Sequence, residues 1–202
     1  MVRPAEHNDS LKSAVIVHGL RTPFAKQSSA FRHASALDMA TMVVRELIER
    51  LGLAPSKIDA IVYGQVVPSL TGPNIAREIV LKAGLPRSID AFSVIRACAT
   101  STQAVASAAQ MIATGQAKVV IAGGADSSSD VPIAVSKPLA DALITANKGR
   151  TPMDKIRAFS GLGPKDLLPV PPAIKELSIG LTMGECAEKM AKENHISREA
   201  QD

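Results

Sequence analysis

The side chains of this sequence best suited to nucleophilic or metal chemistry are two cysteines and four histidines. Their spacing limits what they can do. No CxxC or HExxH pattern occurs, and two cysteines make no disulfide framework. No metal site is therefore expected, and a reducing, cytoplasmic setting is. His7, His18, His33 and His195 are scattered at no spacing suited to a base or a ligand set, and they read as incidental. Cys98 stands differently. It lies where a β-type run at 91–96 (AFSVIR) hands over to a helical run at 99–113. The first turn of a helix carries unpaired backbone N–H groups and the positive end of the dipole. Both stabilise a thiolate, which is the nucleophilic form of cysteine. Position alone leaves two readings open for Cys98: a catalytic nucleophile, or a small core residue. Cys186, inside GECAEKMAKE, lies on an amphipathic run without such a context and reads as structural.

Stepping outward from Cys98, strand and helix patterns alternate. Residues 13–18 (SAVIVH) read as a short buried strand and 21–24 (RTPF) as a turn. Leu37, Ala40, Val43, Val44, Leu47, Ile48 and Leu51 recur at helical spacing, and Gly52 suits the position just past a helix end. Residues 60–67 (AIVYGQVV) read as a second strand, and 74–83 as a short helix stopped by Gly84 and Pro86. The run at 91–96 is a third strand and 118–122 (KVVIA) a fourth. Strands alternating with helices predict an α/β fold, one αβα half with a mostly parallel sheet. After Gly124 the alternation stops. The region to about Gly180 is irregular and holds seven prolines, with short helices expected at 138–147 and 184–194. The expected division is a core at 12–126 and an irregular helical loop domain at 127–202.

The stretch 97–117 contains no charged residue. Thr100, Ser101, Thr102, Gln103, Ser107 and Gln110 interrupt it, so it does not read as lipid-facing. A helix without a charged face is normally covered all round by protein. One sheet from this chain covers one side, so something else is expected on the other.

Composition narrows the function classes. Hydrophobic residues make up 46% and charged residues 21% of the 202, which argues against disorder. Aromatics are 2% and tryptophan is absent, which argues against nucleic-acid binding by base stacking. No apolar run reaches the length of a transmembrane helix, and the polar N-terminal residues lack a signal-peptide core. The net charge is +4. Lys137, Lys148, Arg150, Lys155, Arg157 and Lys165, against Asp141 and Asp154, account for an excess of the same size. Two readings fit this basic stretch: a solvated face, or attraction to an anionic partner such as a phosphate-bearing ligand, an acidic protein or a membrane surface.

Five ordered segments carry a family resemblance: RTPF at 21–24, PNIAREIVLKAGLP at 73–86, VIRACATSTQAV at 94–105, VVIAGGADSSSD at 119–130 and GLTMGECAEKMA at 180–191. Together they resemble the N-terminal half of a thiolase, most closely the fatty-acid-oxidation type that forms the β-subunit of trifunctional complexes. The resemblance implies that Cys98 is the nucleophile that accepts an acyl group, with its own N–H as one oxyanion donor. It implies that the region from Ser127 onward resembles the loop domain that covers coenzyme A. Met183 would line the pantetheine and acyl channel, where an unbranched thioether suits an adaptable apolar wall. Asn74 and Arg77 match a helix at the family's dimer interface and read as structural. Thr182 stands where the family often has His, Ile95 where a small polar residue is usual, and Thr102 where a bulkier one is usual.

The implied activity is acyl transfer between a 3-oxoacyl-CoA and coenzyme A. Coenzyme A is a substrate there, and no cofactor or metal is expected. The implied partners are acyl-CoA and coenzyme A, a second copy in a homodimer or higher oligomer, and a multifunctional hydratase/dehydrogenase α-subunit; no nucleic acid is expected. A complete thiolase is about twice as long. Its second half supplies a His in a G-H-P context, an Asn-Glu motif and a second Cys in C-x-G-G-G. None of these strings occurs here. The chain is therefore expected to be inactive alone. Two alternatives stand beside that reading: a non-catalytic half-thiolase that dimerises or docks a partner, and a ketosynthase of the same fold.

Overall fold

The computed structural model describes residues 13–170 and 172–202. They form two compact units that divide between Val131 and Pro132.

The first unit is layered. Its elements are α1 (Ala36–Arg50), β1 (Ala60–Gly64), α2 (Ile75–Lys82), β2 (Asp90–Val94), α3 (Thr100–Ala113) and β3 (Val120–Gly124). The three strands are all parallel, in the order β2-β1-β3. Side chains alternate across a strand, and β1 shows what that does. Ile61 and Tyr63 join Ala40, Val44 and Ile48 of α1 and Ile75, Ile79 and Val80 of α2 in one core. Ala60 and Val62 point the other way, into a second core with Ala104 and Met111 of α3. All five residues of β1 are buried, as expected for the central strand of an αβα sandwich. The predicted fold class is the observed one.

Capping residues start the helices on this side. Ser35 Oγ accepts the Asp38 N–H at 3.1 Å, and the Asp38 carboxylate accepts the Ser35 N–H at 2.9 Å. That reciprocal pair satisfies two donors with no partner inside α1. Asn74 Oδ1 accepts the Arg77 N–H at 3.1 Å, while its amide donates to Ala91 O at 3.2 Å and ties α2 to β2. Arg77 Nη1 donates to Arg87 O and Ile89 O. Both residues thus hold the α2–β2 connection.

Residues 13–18 depart from expectation. They form no strand, and Val15, Ile16 and Val17 are exposed, Ile16 by 83%. An apolar run does not by itself supply the hydrogen-bonding neighbour that a strand needs, and none of the three strands pairs with it. RTPF is not a turn either. The reversal comes later, at 27–33, where Ser28 takes φ +58°. Gln27 Nε2 donates to Ser128 O and the Ser28 N–H to Ser129 Oγ, which fixes it there.

All three strands have bounds shifted by side-chain acceptors. β1 stops at Gly64 and not at 67, because the Val66 and Val67 N–H groups donate to the Asp126 carboxylate. β2 stops at Val94 and not at 96, because the Arg96 N–H donates to Thr100 Oγ1. β3 begins at Val120 and not at 118, because Asp59 takes the Lys118 and Val119 N–H groups at 2.7 and 2.9 Å.

The second unit has α4 (Lys137–Lys148), α5 (Pro152–Arg157), α6 (Met183–Glu193) and α7 (Arg198–Gln201). α4 and α6 lie on the two predicted helices. α5 and α7 were not expected from the pattern; Thr151 and Ser197 cap them. Single bridges join Ala134 to Val170 and Lys175 to Thr182. Among the described residues, no helix is long and apolar enough to cross a membrane.

Candidate active site

Cys98 lies in a single 3-10 turn, Ala97–Ala99, between the end of β2 and the start of α3. Its position is the strand-to-helix handover that the sequence pattern indicated, and the residue is exposed. Parallel strands place their C-terminal ends along one edge of the sheet, which is where open α/β folds hold their ligands. Cys98 follows the C-terminal end of β2 on that edge.

The chain reaches it through an unusual bend. Ala97 has φ +44°, the left-handed region that a residue with a Cβ rarely adopts. Such a conformation persists only where its surroundings hold it. Here Thr100 does so. Its hydroxyl accepts the Arg96 N–H at 2.8 Å and donates to Ala97 O at 2.7 Å. The Thr100 N–H also donates to Ala97 O.

Two glycines let α3 approach closely enough for this. A Cβ on Gly64, at the end of β1, would lie 2.1 Å from Thr100 Cγ2. A Cβ on Gly124, at the end of β3, would lie 2.4 Å from Ser101 Oγ. The first two residues of α3 therefore sit in notches above the C-terminal ends of β1 and β3. Sequence reading missed Thr100, Gly64 and Gly124. The available signal was glycine closing a strand run, which marks close approach by another segment.

α3 buries one stripe, Thr100, Ala104, Ala108 and Met111. The rest of its uncharged surface is partly or wholly exposed, Val105 by 42%. Arg96 is exposed beside Cys98, and its guanidinium donates to Gln103 Oε1 of α3.

Met183 belongs to the second unit, as the first residue of α6, and is 60% exposed. Thr182 caps that helix: its hydroxyl accepts the Glu185 N–H at 3.2 Å, and Glu185 Oε2 accepts the Thr182 N–H at 2.7 Å. The bond from the Thr182 N–H first, and then the Thr182 side chain, lower the Glu185 carboxyl pKa from its ordinary value. Cys186, one residue further on, is half-buried. The basic stretch lies in the same unit: Lys137 and Lys148 on α4, Lys155 and Arg157 on α5. Lys137 pairs with Asp141 one turn along α4. Three histidines lie within the described residues. His18 Nδ1 accepts the Gly19 N–H, and His33 Nε2 accepts from Arg32 Nε, so each engages a sequence neighbour. His195 has φ +54° just beyond α6. His7 lies outside the described residues.

Residues 14–202 match the family described as thiolase, N-terminal domain. The chain belongs to the thiolase family. It is 59% identical over 187 residues to a 3-ketoacyl-CoA thiolase from Pseudoalteromonas translucida, covering 93% of this chain and 43% of that protein. A 3-ketoacyl-CoA thiolase from Shewanella oneidensis matches at the same identity and coverage. The chain thus spans less than half the length of these relatives. A thiolase from Ascaris suum, solved in complex with coenzyme A, superposes with a TM-score of 0.69 at 29% identity, covering 89% of this chain and 42% of that one. A Bacillus anthracis acetyl-CoA acetyltransferase gives 0.75 at 24% identity, over 95% of this chain and 44% of that one, and shows the shared fold.

Proposed function

We propose that this chain is the nucleophile-bearing half of a thiolase that transfers acyl groups between 3-oxoacyl-CoA and coenzyme A in fatty-acid oxidation. The observation that carries it is Cys98: an exposed thiol on a held turn, at the start of a helix, along the C-terminal edge of a parallel sheet. In the proposed reaction the Cys98 thiolate attacks the keto carbon. The bond between that carbon and the adjacent CH2 breaks, and the released fragment takes up a proton and leaves as acetyl-CoA. The thiol of a second coenzyme A then gives up its proton and its sulfur takes the acyl group from Cys98. The Cys98 sulfur leaves as the regenerated thiolate, and the proton released balances the one taken up by acetyl-CoA. The chemistry is covalent catalysis by a small nucleophile next to backbone donors. Coenzyme A acts as substrate, and no resident cofactor enters the scheme. Met183 is proposed as apolar wall for the acyl and pantetheine chain, and the basic stretch as an attraction for phosphate groups.

The acid/base groups that such a cycle needs, a His in G-H-P and a Cys in C-x-G-G-G, are absent from these 202 residues. The 202-residue chain by itself is therefore expected to turn over at least about 10²-fold more slowly than an active parent. A homodimer, and docking to a multifunctional hydratase/dehydrogenase subunit, belong to the same proposal. The competing reading is a non-catalytic half-thiolase module, and the uncovered, uncharged surface of α3 favours docking in either case.

The test is to incubate an active protein containing this chain with 3-oxoacyl-CoA and map the acyl adduct by mass spectrometry. The expected adduct is on Cys98, and Cys98→Ser abolishes transfer. An adduct on Cys186 with Cys98 free overturns the assignment.

A further inference from the structure

Thr100 is a polar residue buried to 4% exposure directly beneath an exposed cysteine, and both ends of its side chain are engaged. The methyl group occupies the notch left by Gly64, where a Cβ would come within 2.1 Å of it. That contact selects one rotamer, because any other drives the methyl elsewhere. In this rotamer the hydroxyl meets the elbow from inside, accepting the Arg96 N–H at 2.8 Å and donating to Ala97 O at 2.7 Å. These two backbone groups bracket the left-handed bend at Ala97, φ +44°. An alanine there has no intrinsic preference for that region, so the bend depends on its partners.

We propose that Thr100 is a positioning residue for Cys98: its hydroxyl holds the Ala97 bend, and the bend aims the Cys98 sulfur along the sheet edge. This rests on the reading of Cys98 as nucleophile. Thr100 acts through the backbone of residues 96–97, not by contact with the reacting groups. The Gly64 notch gives the methyl group room, and the two backbone hydrogen bonds hold the hydroxyl in place.

Two substitutions separate hydroxyl from shape. Thr100→Val keeps the branched shape and removes the hydroxyl. Thr100→Ser keeps the hydroxyl and removes the methyl. In the full 202-residue chain, the alkylation rate of Cys98 by iodoacetamide is measured by mass spectrometry, with Cys186 in the same molecule as the reference. Thr100→Val is expected to change the Cys98-to-Cys186 rate ratio by about tenfold, the scale on which small misplacements alter reactivity. Thr100→Ser is expected to keep it within about twofold of the parent. Cys186 lies in the other unit, so hydrogen exchange of the β1 amides reads the structure of the first unit. A changed ratio in Thr100→Val with those amides still protected is not the mark of a merely structural role. A Thr100→Val ratio within about twofold of the parent overturns the proposal. If Thr100→Val does not fold, Thr100→Ala takes its place against Thr100→Ser. Failure of both hydroxyl-free variants to fold also overturns it, because the hydroxyl then supports the fold at large. Acylation in an active protein reports on Cys98 as nucleophile separately, so the two readings fail by different measurements.

Discussion

The six largest fully buried side chains, Ile61, Ile75, Ile79, Val44, Val62 and Val80, all lie in the first unit. The buried apolar residues of the second unit are two alanines, Ala142 and Ala191, among the described residues. The difference sets how each unit holds its helices. In the first, helices are pinned by apolar burial against a sheet, and their caps only define the ends. In the second, short helices stand mainly on local devices. Ser136, Thr151, Thr182 and Ser197 cap them, and four of the ion pairs are spaced one turn apart: Lys137–Asp141, Lys189–Glu193, Lys192–Glu188 and Arg198–Asp202. Exposed pairs of this kind contribute about 0.3–0.5 kcal/mol each, and isolated helices of this length are marginal. A site that needs a fixed nucleophile therefore fits the first unit. With only Ala142 and Ala191 buried among its described apolar residues, the second is expected to open locally at lower free energy than the first.

Truncating one apolar side chain in each unit gives the largest contrast. Ile79 is fully buried in the α1–α2 core, and Leu177 is 97% exposed. Ile79→Ala is expected to cost about 2–5 kcal/mol, from lost transfer energy and the cavity left behind. Leu177→Ala is expected to stay within about 0.5 kcal/mol. Urea denaturation of both variants beside the parent checks this. Equal losses at the two sites would erase the distinction between the units.

The same contrast explains what was legible in the sequence. α1, α2 and α3 were readable because burial against a sheet imposes a helical period on their apolar residues. β1, β2 and β3 were readable as short apolar runs between turn residues, but their ends were not. Those ends are set by Asp59, Asp126 and Thr100, whose side chains capture backbone N–H groups from distant or neighbouring segments. Hydrophobic pattern carries no trace of such captures. Residues 13–18 failed in the opposite sense: the apolar pattern is there and the pairing is not. α5 escaped notice because six residues with Met153 and Ile156 as the only large apolar side chains give no period to read. At the candidate site, the handover from strand to helix at Cys98 was legible. The Ala97 bend was not, since alanine gives no signal for a positive φ.

A cap should act more locally where there is less core behind it. Thr182→Ala removes the acceptor for the Glu185 N–H at the start of α6. The expected loss is about 1 kcal/mol, confined to the protection of α6 amides in hydrogen exchange. Ser35→Ala removes the matching group from α1, where Ala40 and Val44 remain packed at 1% exposure. A similar loss is expected there, but spread over global unfolding, since α1 opens only with its core. Local fraying of α1 in Ser35→Ala, with α6 amides unaffected in Thr182→Ala, would reverse the order of the two units.

Acid provides the smallest and most specific test. Asp38 accepts from Lys82 Nζ and from the hydroxyl and N–H of Ser35. The Lys82 bond first, then those from Ser35, lower its pKa from 3.8 to about 2. The ionised form is the one favoured by folding. Its stabilisation is therefore fully present above the ordinary carboxylate range and is lost as pH falls from about 4 towards 2. The Asp38 side chain is 38% exposed, so solvent screening reduces the effect to about 1 kcal/mol or less. Asp38→Asn is expected to be less stable than the parent at about pH 6, with the gap closing steadily by about pH 2. Urea midpoints measured across that range read the gap directly. In the second unit, Asp154 and Glu185 are lowered by bonds from Thr151 and Thr182 in the same direction. Their acid response is expected to appear as fraying at the starts of α5 and α6, because each carboxylate caps only its own helix. A gap for Asp38→Asn that stays constant from pH 6 to pH 2 would show that the carboxylate charge contributes nothing to joining α1 and α2. The first unit's acid response would then be as local as the second's.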